Sequence, residues 1–220
     1  MDAAEWDARY DTDELVWSGE PNQFLPPEVE GLSPGRSLDL GCGEGRNSVW
    51  LAGRGWTTTG VDHSAVAIAK AERLATERGV DGSWVIGDVT GWEAPAGAFD
   101  LVLVFYLQLP ATERRRAVEA AVTALAPDGT FLFVAHDLLN LTEGHGGPKD
   151  PTVLTTSEAI VDDLAAASLA SGAELVIERA EQVHRVVTTE EGDVNAIDTL
   201  VRARRLDVPS VSSLDPLGPR

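Results

Sequence analysis

Glycines and acidic side chains at regular spacing carry the clearest chemical signal in this sequence. Residues 39–45, read as DLGCGEG, place three glycines directly after a short apolar run. Glycine lets the backbone approach a ligand closely, and a helix that begins there attracts negative groups to its N-terminus. Asp62 follows Asp39 by 23 residues and ends the next apolar run, where a carboxylate can accept both hydroxyls of a ribose. The spacing predicts a site for an adenosine-containing ligand.

A third acid and the composition of the glycine loop narrow the choice of ligand. Asp88 follows the third apolar run, where it can receive the exocyclic amine of an adenine, with the Val89 amide near the ring. Dinucleotide dehydrogenases require Gly-x-Gly-x-x-Gly, and this chain has Arg46 where that pattern needs its last glycine. The acid at Asp39, two residues before the first glycine, favours a different cofactor.

The Asp-x-Gly-x-Gly-x-Gly segment, with acids after the second and third apolar runs, resembles the class I S-adenosylmethionine-dependent methyltransferases. GEGRNSVWLA after the loop and WDARY near the N-terminus are similar to the tellurite-resistance and thiopurine-type branch, which methylates small molecules. These motifs cover roughly residues 6 to 137. The resemblance implies S-adenosyl-L-methionine as cofactor, S-adenosyl-L-homocysteine as product, and a small-molecule acceptor.

The resemblance also implies roles for individual residues. The methionine portion of the cofactor would lie against the glycine loop, the ribose on the second acid and the adenine on the third. The cofactor-binding set is Asp39, Gly41, Cys42, Gly43, Asp62, His63, Asp88, Val89 and Phe105. Some of these have structural alternatives: Asp39 or Asp62 could cap the next helix, and Cys42 could be a buried filler. Arg46 and Asn47 could either tie the loop or touch a ligand.

Residues that follow the fourth and fifth apolar runs are the candidates for catalysis. Phe105 and Tyr106 would line the passage between the sulfonium and the acceptor, and His136 follows the run at 130–135. His145 lies in a glycine-rich segment, EGHGGP, which predicts a mobile loop. A histidine that titrates near neutrality could remove a proton from the acceptor. Alternatively His136 satisfies a backbone group and His145 is solvated.

Aromatic residues are concentrated in the first 34 residues, which we expect to form a helical lid segment. Trp6, Tyr10 and Trp17 are the acceptor and lid candidates, together with Phe24. Such rings could close over a planar or apolar acceptor and exclude water. They could equally anchor a helix to the core, and both roles are compatible.

Alternating strand and helix patterns predict an α/β, Rossmann-like, doubly wound sheet with helices on both faces. The resemblance implies seven strands in the order 3-2-1-4-5-7-6 with strand 7 antiparallel, which agrees with a hairpin pattern near the C-terminus. We expect one methyltransferase domain over 1–206 and a flexible tail over 207–220. The predicted strands are 36–40, 56–61, 83–86, 99–105, 130–135, 175–187 and 195–204. The predicted helices are 46–54, 65–78, 112–125 and 157–171.

The composition bears on partners and location. Of the 220 residues, 36 are acidic and 17 are basic, so the formal charge of −19 argues against nucleic acid and membranes as partners. A single cysteine, Cys42, excludes an intramolecular disulfide, and no metal-ligand spacing is present. We expect a cytoplasmic monomer or homodimer, with 195–204 as an edge strand that could pair between subunits.

Two other functions fit parts of the sequence. A non-catalytic sensor or partner protein that binds the cofactor would keep Asp62 and Asp88 but present an open surface at Tyr106 and His136. A nucleic-acid methyltransferase would carry an Asn/Asp-Pro-Pro-aromatic motif after the fourth strand, where this chain has residues 105–110, FYLQLP. The acidic surface argues against the second alternative.

Overall fold

In the computed structural model, which describes residues 2–190 and 192–207, the apolar runs form one seven-stranded sheet. The strands are β1 Arg36–Leu40, β2 Thr57–Asp62, β3 Ser83–Ile86, β4 Phe99–Phe105, β5 Leu125–His136, β6 Leu175–Thr189 and β7 Gly192–Arg205. Their order is β3-β2-β1-β4-β5-β7-β6; β1 to β5 are parallel, and β7 is antiparallel to both of its neighbours. The predicted fold and strand order are confirmed.

Helices connect the strands, and local capping signals set their ends. They are α1 Ala3–Tyr10, α2 Leu25–Val29, α3 Arg46–Ala52, α4 Ala65–Arg78, α5 Ala111–Ala124, α6 Asn140–Glu143 and α7 Ser157–Ser171, with a 3-10 turn at Pro151–Val153. The Ser64 hydroxyl accepts from the Ala67 amide at the start of α4, and Gly79 ends it in the left-handed region. Thr156 and Gly172 do the same for α7. Both helices therefore have the predicted bounds.

The strand period of two divides the core between the two faces of the sheet. In β4, Leu101 and Leu103 pack with Leu51 of α3 on one face, whereas Val102 and Val104 pack with α5 and α7 on the other. All four β4 side chains are at most 1% exposed. Burial on both faces fixes the ends of β4 and β5 as a rigid platform for the site.

The predicted bounds of β5, β6 and β7 were too short. β5 begins at Leu125 rather than residue 130, because Leu125 pairs with Phe99 before a register shift in the ladder. The Pro127-Asp128-Gly129 turn signal therefore lies inside the strand, as an irregularity with Asp128 at φ 60°. β6 and β7 also extend further into TTEEGD than predicted, to Thr189 and from Gly192.

The prediction that 195–204 forms an edge strand was also wrong. β7, which contains this segment, is hydrogen-bonded to β5 on one side and to β6 on the other. The tight hairpin folds β7 back into the sheet, so β6 becomes the edge. Apart from Asp207, the predicted tail at 207–220 lies outside the described residues. No helix in the described part of the chain is long and apolar enough to cross a membrane.

Candidate functional site

The carboxyl ends of β1, β4 and β5 open into a pocket of about 690 Å³, a size typical of small-molecule sites. It gathers ten predicted site residues from four separate parts of the chain. They are Trp6, Tyr10, Trp17, Gly41, Cys42, Gly43, Phe105, Tyr106, His136 and His145. The structure thus places the catalytic and lid candidates beside the glycine loop, on a concave rather than a convex surface.

The other predicted cofactor residues do not line this pocket. Asp39 is buried at the end of β1, directly before the glycine loop. Asp62, His63, Asp88 and Val89 follow β2 and β3, the next two strands toward the sheet edge. The predicted site therefore has two parts, an acceptor-side pocket and a row of acids along the carboxyl edge of the sheet.

Each glycine of the loop has a positive φ and a close neighbour. A Cβ at Gly41 would lie 2.9 Å from Leu107 Cδ1, and one at Gly43 would lie 2.9 Å from the Tyr10 hydroxyl oxygen. Gly45 packs against α4, where a Cβ would lie 2.7 Å from that of Ala71. Both backbone angle and space therefore require glycine at these positions.

Asp39 is a buried carboxyl with one unsatisfied oxygen. Its Oδ2 accepts a hydrogen bond from the Ser48 hydroxyl at 2.9 Å, but its buried Oδ1 has no hydrogen-bond partner among the described residues. Burial raises the pKa of Asp39 to about 7, although Ser48 opposes the shift. The bond to a side chain within α3 is not a helix cap. An orphaned carboxylate oxygen behind the glycine loop suits a ligand ammonium group.

Asp62 fastens the glycine loop to β2. Its Oδ2 accepts from the Gly43 amide at 2.8 Å and its Oδ1 from the Ser64 amide at 2.9 Å. Burial raises the pKa of Asp62, against the effect of these two bonds. The cap of α4 is Ser64, so Asp62 does not cap that helix directly. Each oxygen keeps a second lone pair, so the carboxylate can still accept hydroxyls.

Asp88 and its neighbours lie further along the same edge. Asp88 is exposed, and its Oδ1 accepts from the amide and hydroxyl of Thr90, which together lower its pKa. His63 is half-buried. Val89 is buried in the core. The open carboxylate can therefore take an exocyclic amine.

Asp198, on β7, organises the acceptor side of the pocket. This fully buried carboxylate accepts from the Tyr106 hydroxyl at 2.7 Å and from Arg185 Nε at 3.0 Å, both on Oδ2. His136, its partner in the β5–β7 register, places Nδ1 3.1 Å from Oδ1, with the ring turned away from a linear hydrogen bond. Burial opposes ionisation, but His136, Tyr106 and Arg185 together hold the pKa of Asp198 below its usual range.

Because of their contacts with Asp198, Tyr106 and His136 differ in their ability to accept a proton. Burial and the neighbouring carboxylate raise the pKa of Tyr106, so its phenol is a hydrogen-bond donor and not a base. Tyr106 adopts φ 52°, a rare conformation for a non-glycine residue and one that occurs at functional sites. Because Nδ1 of His136 lies 3.1 Å from the Asp198 carboxylate, Nε2 is the nitrogen left to accept a proton from an acceptor.

The loop with His145 packs directly over His136. Gly147 has φ +71°, and a Cβ there would lie 3.0 Å from the His136 ring. Asn140 holds the loop because its Nδ2 donates to the Gly146 carbonyl while its Oδ1 accepts from the Ile197 amide. His145 itself is exposed at the pocket rim. The loop thus packs against the His136 ring, whose Nδ1 lies beside Asp198.

A buried ion pair ties the N-terminal segment to the glycine loop. Glu44 accepts from the Val16 and Trp17 amides, and from Lys70 Nζ at 3.1 Å. Asn47 adds a second tie, because its Oδ1 accepts from the Asn22 amide. Asn47 is therefore a structural tie, one of its two predicted roles.

The aromatic residues of this segment divide between lid and core. Tyr10 is buried and stacks on Trp6 with ring centroids 5.6 Å apart. Arg9 lies over the rings of Trp6 and Trp17, and Trp17 is 41% exposed at the pocket. Phe24 packs instead against the core cluster under β4 and lies outside the pocket. Three of the four rings thus lie where a lid would.

Several residues of the site were missed by sequence reasoning. Asp198 and Arg185 lie on strands distant in sequence from His136, and the Glu44–Lys70 pair spans 26 residues. The one local signal is an acid inside an apolar strand, at Asp198 in AIDTLV. An acid in that setting requires buried partners.

Comparison with a family model identifies the central part of the chain. Residues 38–129 match the model described as a methyltransferase domain. This region contains the glycine loop, the three spaced acids and Tyr106. The match agrees with the cofactor geometry described above.

Two of the known proteins similar to this chain are named as methyltransferases. It is 28% identical over 163 residues to 2-heptyl-1-hydroxyquinolin-4(1H)-one methyltransferase of Mycobacteroides abscessus, covering 70% of this chain and 72% of the relative. It is 35% identical over 125 residues to ribosomal RNA small subunit methyltransferase C of Alcanivorax borkumensis, covering 53% of this chain but only 38% of the relative.

A solved structure extends the similarity over the whole fold. It comes from work on the conversion of a disulfide bond into a thioacetal group during echinomycin biosynthesis. The TM-score is 0.71 at 25% identity, over 96% of both chains. TehB of Haemophilus influenzae shares the fold, with a TM-score of 0.66 at 17% identity over 92% of this chain and 66% of that one.

Proposed function

We propose, from the premise that this chain carries a class I S-adenosylmethionine-dependent methyltransferase domain, that it methylates a small molecule in the pocket beside His136. The observation that carries the proposal is the buried Asp198 carboxylate, which faces both His136 and Tyr106 at the pocket. A protein that only sensed the cofactor would gain nothing from an enclosed base next to the glycine loop.

The cofactor would bind along the glycine loop and the row of acids. Asp39 receives its ammonium group, Asp62 its ribose hydroxyls and Asp88 its adenine amine. When bound, it supplies a methyl group on a positively charged sulfur. The chain itself mainly aligns the acceptor with that group, and such positioning can lower a barrier by roughly 7–11 kcal/mol.

His136 acts as the general base for an acceptor that arrives protonated. When the acceptor atom takes the methyl group that the cofactor would supply, leaving S-adenosylhomocysteine, the acceptor's proton would pass to His136 Nε2. Asp198 stabilises the resulting imidazolium, and Tyr106 holds the carboxylate in place through its hydroxyl. Gly147 and the loop around it keep the ring in position.

The acceptor is an oxygen, nitrogen or sulfur nucleophile on a small, flat molecule. The aromatic lining supports this choice, as does similarity to a relative named for a quinolone. The GEGRNSVWLA and WDARY motifs support a position in the tellurite-resistance and thiopurine-type branch. We also propose that the protein is cytoplasmic, that it is a monomer or homodimer, and that it has no nucleic-acid or membrane partner.

Methyl transfer can be tested by measuring S-adenosylhomocysteine release with a panel of hydroxylated aromatics, heterocycles and thiols. With a hydroxyl acceptor, His136→Ala should lower turnover by about 100-fold or more. His184→Ala is the matched control, because His184 is exposed on β6 and outside the pocket. The base role is wrong if His136→Ala leaves turnover unchanged from about pH 6 to about pH 9.

A further inference from the structure

The pocket has a charge opposite to that of the chain as a whole. The chain carries 36 acidic and 17 basic side chains, yet the charged residues that line the pocket are three arginines and one acid. The acid, Glu44, is already paired with Lys70 and two backbone amides. The pocket therefore presents unmatched positive charge to whatever enters it.

Arg46 is the clearest case of an unmatched cation. It is the first residue of α3, where the helix dipole disfavours positive charge, and it lines the pocket. Among the described residues it makes no hydrogen bond or ion pair, although it is only partly exposed. Burial lowers the pKa of Arg46, whereas Tyr106 and Asp39 oppose the shift and Arg185 acts in the same direction as burial. The guanidinium therefore has donors free for an anion within hydrogen-bonding distance.

Arg185 is the second cation, and it lies on the acceptor side. One guanidinium nitrogen donates to Asp198, which also accepts from Tyr106 and faces His136. Asp198 is the only acid that pairs with Arg185 in the described part of the chain, so its other donors remain free of carboxylates. Because Arg185 and His136 share one carboxylate, an anion on Arg185 would lie next to the base.

The cofactor alone does not account for these charges. It brings one carboxylate, and its ammonium group is matched by Asp39 under the proposed function. Arg9 lies at the rim, over the rings of Trp6 and Trp17. Arg185 is paired with Asp198 through one nitrogen only, so a second anion would use the donors of Arg185 and Arg46 that no carboxylate of the described residues occupies.

Building on the proposed function, we propose that the methyl acceptor is an organic acid, whose anionic group binds to Arg185 and Arg46 beside His136. Guanidinium groups suit planar oxyanions because their paired N–H donors match two oxygens. The aromatic side chains that line the pocket favour an acceptor that carries a ring next to its anionic group. The nucleophile must lie close to the anionic group within the acceptor, since the base and Arg185 are neighbours.

Matched acids and amides test this assignment. Calorimetry on protein saturated with S-adenosylhomocysteine would compare 2-hydroxybenzoate with 2-hydroxybenzamide, and benzoate with benzamide. The cofactor's own carboxylate is then already in place. We expect each acid to bind at least about tenfold more tightly than its amide, as for a charge-assisted hydrogen-bonded pair. Equal affinities, or no binding of either acid, would overturn the proposal.

Variants separate the two arginines from general effects of charge. Arg185→Gln and Arg46→Gln should each abolish the preference for the acid, while Arg54→Gln should keep it. Arg54 is an exposed arginine that stacks on Trp50 outside the pocket. If Arg46→Gln instead weakens S-adenosylhomocysteine by more than about tenfold, Arg46 serves the cofactor and its assignment here is wrong.

The same titrations distinguish this inference from the proposed function. Wild-type protein that binds no S-adenosylhomocysteine would contradict the cofactor site and the proposed function with it. Binding of S-adenosylhomocysteine without discrimination between acid and amide would contradict only the organic-acid acceptor. Acid binding that is lost in Arg185→Gln supports both.

Discussion

Asp39 is a buried carboxyl group whose surroundings disfavour its ionised form until a cationic ligand binds. Its Oδ1 is buried without a partner, and burial raises its pKa to about 7. Ionisation of Asp39 therefore lowers the free energy of unfolding, and a cation that binds to Asp39 would restore part of that loss. The same reasoning applies to Arg46, which lacks an acid partner in the described part of the chain.

Asp39→Asn should stabilise the protein in a pH-dependent way when no cofactor is bound. The folded-state pKa is above the unfolded value, so ionisation lowers stability as pH rises from about 4 to about 7. The variant should match wild type near pH 4 and exceed it by up to about 4 kcal/mol above pH 7. Urea unfolding across this range measures the difference. A difference that does not vary with pH would contradict the assigned pKa.

Sequence reasoning could locate the glycine turn because the backbone imposes a rule there. Gly41 and Gly43 have positive φ and close contacts that admit no other residue, whereas their role in cofactor binding stays a prediction. Asp198 and Arg185 could not be identified, because their roles arise from β5, β6 and β7 lying side by side. Only the pairing register places Asp198 opposite His136.

At the scale of elements, the loop after α6 positions the proposed base. Gly146 and Gly147 have nearly the same φ, +73° and +71°, but a Cβ would meet another side chain, the His136 ring, only at Gly147. Alanine substitutions at the two glycines therefore distinguish the effect of backbone strain from the effect of displacing the base.

Gly147→Ala should reduce turnover by at least about tenfold, since displacement of the ring misaligns the base. Gly146→Ala should keep turnover within about twofold of wild type, while both variants lose about 1–2 kcal/mol of stability. Thermal unfolding and initial rates provide the two readouts. Equal rates for both variants would exclude a positioning role for the loop.

The N-terminal segment is held by the Glu44–Lys70 pair, whose side chains are 3% and 5% exposed. Glu44→Gln leaves the Lys70 charge buried without its acid, so we expect a loss of about 3 kcal/mol in the free energy of unfolding. The exposed Glu20–Arg78 pair on the same segment is the control, and Glu20→Gln should cost less than about 1 kcal/mol. Similar losses in urea unfolding would contradict a structural role for the buried pair.

Element boundaries were predictable where capping residues mark them. α4 and α7 have the predicted ends because Ser64, Gly79, Thr156 and Gly172 satisfy their terminal backbone groups. β5 was predicted too short because the turn signal at 127–129 sits within a continuous strand. Its pairing with Phe99 is a long-range contact that local sequence does not encode.

For the whole molecule, net charge and pocket charge have opposite sign. The charge of −19 argues against binding a polyanion over an extended surface, whereas the pocket arginines suit one small anion. The acidic composition argues against nucleic acid and membranes as partners, and it does not predict a basic pocket. The fold nevertheless gathers Arg9, Arg46 and Arg185 in one pocket.

We expect that the protein does not bind RNA, despite its similarity to a ribosomal RNA methyltransferase over 53% of the chain. The acidic surface repels a phosphate backbone, so we expect no complex at micromolar protein and about 0.15 M salt. Electrophoretic mobility of labelled ribosomal RNA fragments would measure this. A stable complex whose affinity falls steeply with added salt would instead support a nucleic-acid substrate.

The most direct test of the account is calorimetric titration of S-adenosylmethionine and S-adenosylhomocysteine into wild type and Asp62→Ala. Asp81→Ala is the control, because Asp81 is exposed on the loop before β3. We expect wild type and the control to bind at micromolar concentrations, and Asp62→Ala to bind at least about tenfold more weakly. Absence of binding by wild type, or equal binding by Asp62→Ala, would contradict a cofactor site built on the glycine loop and Asp62.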